Sequence, residues 1–288
     1  MLSKAGKCHE HLLSAITAEA LEIANNHPTA RLLAGGTDTM VEINFRHYEP
    51  TDIISLRHVR ELQTFEQTGE VYRVGSAIPY REFENGSYAH ISQALSEAAR
   101  TVGSPQIRAA GTIGGNLGTC SPAGDTLPVL SALDAQIELA SVNGTRVLSI
   151  HDFMLGVKRN ARASNEIITA INFSKIDGYQ GYAKVGVRNA MVISIASACL
   201  IHDPKNQRVA IALGAVGPTI IRCRESEAWL SDNTDLSTNS PISADITNEF
   251  ARRVSAEARP ITDHRSTAEY RKHAVGVLAQ RLLKRAMQ

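Results

Sequence analysis

The chain is poor in the residues that build metal sites, span membranes or grip polyanions. It has four cysteines, Cys8, Cys120, Cys199 and Cys223. No two of them stand at a C-x-x-C spacing, so neither a zinc nor an iron–sulfur ligand set is encoded. Few, widely separated cysteines in 288 residues fit a reduced, cytoplasmic protein. Formal net charge is only +1, which leaves no electrostatic footprint for nucleic acid or an anionic membrane. The longest apolar run, Met191 to Ile201, is broken by serines and too short to span a bilayer. His9, Glu10 and His11 interrupt any apolar core of an export signal. Gly-Lys-Ser/Thr occurs nowhere, which excludes a Walker A loop, and no G-x-G-x-x-G marks a Rossmann turn. Cys120-Ser121 lacks the G-x-S-x-G frame of a nucleophile elbow. His9 and His11 beside Cys8 are metal-ligand types, but a mobile N-terminus is the preferred reading. No internal repeat or low-complexity segment is present.

The composition is that of a globular protein of one or two domains, with 43% hydrophobic and 20% charged residues. Leu12, Leu13, Ile16, Ala20, Ile23 and Ala24 recur at helical spacing, closed by Pro28. Short strands are expected at Ala30 to Ala34, Asp52 to Leu56 and Val71 to Ala77. A helix follows from Ile91 to Val102, with Gly103 just past its end. Asn143-Gly144 between two apolar runs signals a tight hairpin. Glu166 to Phe173 reads as another strand. After Asp177-Gly178 the pattern changes to three strand-like runs, Tyr182 to Arg188, Met191 to His202 and Val209 to Val216. Two amphipathic helices follow, about Ser243 to Ala258 and Thr267 to Met287.

Two glycine loops stand out. The first is Leu32-Leu33-Ala34-Gly35-Gly36-Thr37-Asp38, where a strand ends in two glycines. Unobstructed amides of that kind suit a diphosphate, although a lone strand followed by Gly-Gly is more often a plain turn. The second lies in Gly111 to Asp125, which carries five glycines, at 111, 114, 115, 118 and 124. Such a segment buries little side-chain area; it is read as a packed loop that a ligand approaches, not as a strand-to-helix opening.

Arg31-Leu-Leu-Ala-Gly-Gly-Thr-Asp38 and Gly111-Thr112-Ile113-Gly114-Gly115-Asn116-Leu117, followed by Ser121-Pro122 and Asp125, resemble the flavin loops of the molybdenum hydroxylase family. That family includes the flavoprotein subunits of xanthine and carbon monoxide dehydrogenases. Gly156 to Arg162 before Glu166-Ile167-Ile168, then Ala183-Lys184 and Arg188, and Gly217-Pro218-Thr219 before Ile221-Arg222, extend the resemblance along the chain. It implies an α+β protein: an FAD-binding domain of the vanillyl-alcohol-oxidase (PCMH) type over residues 1–176, in two α/β subdomains of about 1–55 and 56–176. A C-terminal domain of antiparallel sheet and helices would follow over 177–288.

The resemblance further implies that Leu32 to Asp38 and Thr112 to Asn116 hold the FAD diphosphate, and that Asp125 bonds a polar atom of the cofactor. Ile167 or Ile168 would lie along a ring, Val102 near the flavin, and Ala183 and Lys184 beside it, with Lys184 stabilising a reduced, anionic flavin. Read without the resemblance, Asp125 is a helix cap and Lys184 a solvated strand lysine. Substrate oxidation would occur at molybdopterin on a large partner subunit, and electrons would reach FAD through two-iron two-sulfur clusters on a small one. NAD+ or another acceptor would then take them. Pro105-Gln106-Ile107-Arg108 and Pro218 to Cys223 lean toward a xanthine or purine substrate for the assembly. A stand-alone flavin oxidoreductase and a non-catalytic nucleotide-binding or assembly module are the alternatives.

Overall fold

The structure, a computed structural model, describes residues 11–13, 17–47 and 52–288. Cys8 and His9, and with them the metal reading of the N-terminus, lie outside these residues. Strand β1 (His11–Leu13) leads to helix α1 (Thr17–Asn26), β2 (Arg31–Leu33), α2 (Thr39–Asn44) and β3 (Ile53–Ser55). The strands form a parallel sheet in the order β1-β3-β2. Leu12 and Leu13 therefore belong to a strand, not to the first helix as their spacing implied. Two adjacent apolar residues carry no period of their own, and pairing with β3 decides their state. Ala20 and Ala24, one turn apart on α1, are buried in one cluster with Ile54, Leu56, Val59 and Leu62.

Strands β4 (Phe65–Thr68) and β5 (Val71–Gly75) precede five short helices: α3 (Tyr80–Glu84), α4 (Gln93–Thr101), α5 (Pro105–Ala110), α6 (Ile113–Thr119) and α7 (Leu127–Ala132). Then come β6 (Gln136–Ser141), β7 (Gly144–Ser149), α8 (Ile150–Phe153), β8 (Met154–Gly156), β9 (Arg159–Asn160) and β10 (Ile167–Ser174). The central antiparallel sheet has the order β4-β5-β10-β6-β7. The Asn143-Gly144 turn joins β6 to β7 as expected, with Ser141 paired to Gly144 and Gly144 at φ +126°. Ser92 caps α4 by accepting from the Leu95 amide at 3.2 Å, and Gly103 at φ +44° follows the helix end.

The third sheet, β11 (Gln180–Val185), β12 (Ala196–Asp203), β13 (Arg208–Gly214) and β14 (Ile221–Arg222), is antiparallel in chain order. Every residue of β12 is buried, because helices cover both faces of the sheet. One cover is α11 (Ala268–Ala286), with α9 (Arg224–Asn233) against β13 and α10 (Ala244–Glu257) against α11. The other is α4 and α7 from the preceding part of the chain. The last two helices fall where the sequence periodicity put them. The segment from Met191 to Ile195, read as strand, precedes β12 and exposes Met191 and Ile193; α9 was not foreseen. Arg271, buried on α11, donates Nη1 to the carbonyls of Ile195 (3.1 Å) and Ala215 (2.8 Å) and Nη2 to Asp263 (2.6 Å), which fixes that helix on the sheet.

Candidate functional site

The two glycine loops meet, but for different reasons than the sequence suggested. A methyl group on Gly35 would lie 1.9 Å from the Ala110 carbonyl oxygen, so here the backbones of the two loops touch. Gly36 follows at φ +72°, a conformation that favours glycine. Among the described residues, nothing accepts a hydrogen bond from the amides of Gly35, Gly36, Thr37 or Asp38. Four consecutive donors are thus free before α2 begins.

The second loop is a helix, which corrects the expectation that Gly111 to Gly118 opens none. Thr112 caps α6 by accepting from the Gly115 amide at 3.0 Å. The Ile113 amide goes to the Ile78 carbonyl (3.3 Å), and the Gly114 amide to the Ser76 carbonyl (2.8 Å). A methyl group on Gly114 would meet Ser76 Cβ at 2.5 Å. Its glycines therefore serve close packing, and its first amides are already used. Glycine disfavours helix by about 1 kcal/mol per residue, which hid the element; tertiary contacts override that cost.

Between the loops runs a cleft of about 480 Å³. Of the residues expected in a cofactor site, Leu32, Ala34, Gly35, Gly36, Thr37, Asp38, Thr112, Gly114, Gly115, Asn116 and Ile168 line it. Leu33, Val102, Gly111, Ile113, Asp125, Ile167, Ala183 and Lys184 do not. Ile113 and Ile167 are fully buried in the core, and Ile167 points to the opposite face of β10 from Ile168. Val102 packs against the central core and Ala183 against the C-terminal one.

Asp125 and Lys184 face each other instead. Lys184 Nζ donates to Asp125 Oδ2 at 2.7 Å, to the Thr101 carbonyl at 2.9 Å and to the Val192 carbonyl at 3.1 Å. The Tyr182 hydroxyl (2.7 Å) and Ser194 Oγ (2.6 Å) donate to Asp125 Oδ1. Neither the cap nor the solvated lysine describes this network. Its neighbour Thr126 donates to Asn116 Oδ1 at 2.6 Å, which links it to the cleft wall. Tyr80 lines the cleft beside it; burial, then the charges of Asp38 and Asp125, hold its hydroxyl protonated far above the usual phenol range.

The third wall was not foreseen. The β8–β9 hairpin and the chain after it contribute Leu155, Lys158, Arg159, Asn160 and Arg162. Arg31 and Glu42 stand on the wall formed by β2 and α2. Glu42 accepts from Lys158 Nζ at 2.8 Å and from Arg31 Nη2 at 2.9 Å. The Lys158 hydrogen bond leads in lowering its carboxyl below the ordinary range, against burial and with help from Arg31. Asp38 Oδ2 accepts from Thr119 Oγ1 at 2.8 Å. Arg162 is partly buried, and among the described residues its guanidinium hydrogen-bonds only backbone carbonyls. Four cationic side chains, Arg31, Lys158, Arg159 and Arg162, thus line the cleft against two carboxylates, Asp38 and Glu42. The only sequence signal was three basic residues within 158–162.

The free amides and cationic side chains of the cleft define an anion-binding site. The structure superposes on quinoline 2-oxidoreductase from Pseudomonas putida 86 with a TM-score of 0.88, 20% identity and 99% of each chain covered. Carbon monoxide dehydrogenase from Hydrogenophaga pseudoflava gives 0.87, with 22% identity over 96% of each chain. In sequence, residues 10–174 match the family described as the FAD binding domain in molybdopterin dehydrogenase. Residues 182–286 match the CO dehydrogenase flavoprotein C-terminal domain. The chain belongs to this family of FAD-binding subunits; its cofactor is FAD and it is part of an oxidoreductase.

Among similar proteins, the caffeine dehydrogenase subunit beta of Pseudomonas sp. strain CBB1 is 30% identical over 93% of this chain and 91% of its own length. The xanthine dehydrogenase FAD-binding subunit of Escherichia coli O157:H7 is 26% identical over 95% and 94%. The nicotinate dehydrogenase FAD-subunit of Eubacterium barkeri is 37% identical, over 57% of each chain. Among the described residues no helix is long and apolar enough to cross a membrane.

Proposed function

We propose that this chain is the electron-relay subunit of a heteromeric molybdenum hydroxylase. Its FAD would receive electrons from iron–sulfur clusters on a small partner subunit and pass them to NAD+ or another acceptor. The organic substrate would be oxidised at molybdopterin on a large partner subunit. The observation that carries this reading is the cleft: four free consecutive amides on one wall, and twice as many cationic as anionic side chains around it. That donor set suits a doubly charged diphosphate, so the residues present fit FAD.

In this reading Gly35, Gly36, Thr37 and Asp38 hold the diphosphate through their amides. Ala34, Gly115, Asn116 and Leu32 shape the cleft around it. Ile168 and Leu155 offer apolar surface to a ring. Thr126, next to the Asp125–Lys184 pair behind the wall, holds Asn116. FAD, when bound, supplies the exchange between single-electron and two-electron carriers; the protein supplies binding, orientation and field. We assign the flavin unit to residues 1–176 and the C-terminal unit to 177–288.

A purine-type substrate for the assembly is favoured by Pro105 to Arg108 and Pro218 to Cys223, and by similarity to subunits named for xanthine and caffeine dehydrogenases. The test is to purify the full chain, titrate it with FAD and follow flavin absorbance and fluorescence. Stoichiometric binding is expected, and reduction of the bound flavin followed by mixing with NAD+ examines the acceptor. A folded chain that binds no FAD overturns the reading. Isolation with its partner subunits and assay against xanthine decides the substrate.

A further inference from the structure

One cation of the cleft is held in place without an acid to neutralise it. Arg31 and Lys158 share Glu42, and Arg159 is exposed. Arg162 differs from all three. Its Nη1 donates to the carbonyls of Ala163 (2.9 Å), Ser164 (3.3 Å) and Glu166 (2.7 Å). Among the described residues no carboxylate lies within ion-pair distance of it. The nearest acid, Glu166, is taken in a two-point contact by Arg146 at 2.6 and 2.8 Å.

A guanidinium has five N–H donors, and an arginine in a protein stays protonated. The Nε and Nη2 donors of Arg162 make no hydrogen bond among the described residues and are open to solvent, in a side chain that lines the cleft. Burial presses against its charge, and so does like-charged Arg31, with Glu166 giving partial relief. Folding therefore places a rooted, charged fork where charge is costly and leaves one edge of it free. A side chain needed only to tie residues 163–166 would gain nothing from that exposure. An anion entering the cleft is the partner that repays it, because two parallel N–H donors match two phosphate oxygens.

We infer that Arg162 is a specificity-determining residue of the FAD cleft, its free guanidinium edge selecting the diphosphate half of the dinucleotide. The inference rests on the cofactor reading above. The flavin ring alone would gain nothing from this residue, and a ligand with a diphosphate but no flavin would gain the full contact.

The experiment measures binding of FAD, ADP and riboflavin to the full-length chain and to Arg162→Met, Arg162→Gln and Arg162→Lys, across a series of KCl concentrations. Arg162→Met and Arg162→Gln are expected to weaken FAD and ADP alike, by about tenfold or more, as for loss of a hydrogen bond to a charged group. Riboflavin binding stays the same. Arg162→Lys keeps the charge but loses the two-point contact, so its affinity is expected to fall between those of the wild type and of Arg162→Met. The salt dependence of FAD binding flattens in the two neutral variants and persists in the lysine variant. Arg162→Gln retains a donor for the carbonyls and guards against loss of the fold, which melting curves monitor. Unchanged FAD affinity in folded neutral variants overturns the inference. So does an equal loss for riboflavin, or a lysine variant as weak as the methionine one. Wild-type chain that binds neither FAD nor ADP overturns instead the cofactor reading on which it rests.

Discussion

Replacing Lys184 by methionine tests the arrangement of the buried network most directly. Side-chain exposure is 9% for Lys184 and 8% for Asp125, so the pair is shielded on both sides. Methionine replaces the aliphatic stem of the lysine and removes three hydrogen bonds, to Asp125, Thr101 and Val192. Asp125 is left as a buried carboxylate with two hydroxyl donors, from Tyr182 and Ser194. Breaking a buried pair from one side costs about 3–5 kcal/mol. The two remaining donors place the expectation near the lower end, roughly 3 kcal/mol. In a protein of 288 residues that corresponds to a fall in Tm of about 5 °C.

Urea unfolding followed by circular dichroism measures the loss. Asp125→Asn in the same background removes the stranded charge, so the double variant is expected to be more stable than the two single losses sum to, by about 2 kcal/mol. FAD affinity of the folded Lys184→Met protein is expected to change less than that of Arg162→Met, because Lys184 does not line the cleft. A stability change below about 1 kcal/mol, or strict additivity with Asp125→Asn, refutes the buried-pair argument. A large loss of FAD affinity at unchanged stability refutes it too, and restores the lysine to the flavin.

The two glycine loops should respond differently to an added side chain. Gly35→Ala drives a methyl group into the Ala110 carbonyl and is expected to destabilise the fold by about 3 kcal/mol or more, measured by thermal melting. A methyl group on Gly115, which lines the cleft, meets only Thr112 Oγ1, at 3.1 Å; Gly115→Ala should keep the fold and weaken FAD binding, read by flavin fluorescence. Asp134 joins α7 to the C-terminal sheet through Arg208 (3.0 Å), Arg222 (2.7 Å) and Arg224 (3.6 Å), with His151 at 3.5 Å. Burial raises its carboxyl, but the neighbouring His151, the hydrogen bond from Arg208 and the charges of Arg222 and Arg208 prevail and hold it well below the ordinary range. A depressed carboxyl stabilises the fold above its unfolded pKa of about 3.9 and loses that contribution as pH falls. Asp134→Asn should therefore cost about 1 kcal/mol after solvent screening near neutral pH, and the gap to wild type should narrow below about pH 4 in acid-unfolding curves.

The parts legible in the sequence were those where local pattern and tertiary demand agree. The hairpin at Asn143-Gly144 and helices α10 and α11 follow from turn chemistry and a 3.6-residue period alone. The first glycine loop was legible too, because a strand running into Gly-Gly leaves its amides open whatever surrounds it. Helix α6 was not, since Gly114 and Gly115 argue against helix and only Thr112, Ile78 and Ser76 reverse them. The pairing of Asp125 with Lys184 joins residues 59 positions apart, which no spacing rule foretells. Glu42 and Lys158 are 116 positions apart, so the charged wall of the cleft exists only once the chain is folded.

The contact between Gly35 and Ala110 sets a fixed gauge for this protein. Where two main chains abut with no side chain between them, the separation is a sum of atomic radii, and substitution of neighbours cannot widen or narrow it. The separation of these two segments is therefore not adjustable. Tuning of affinity, selectivity or flavin potential at a constant aperture falls to side chains that line the cleft, among them those of the third wall, residues 155–162. A mutational library confined to that wall would vary the properties of the site while leaving its aperture unaltered.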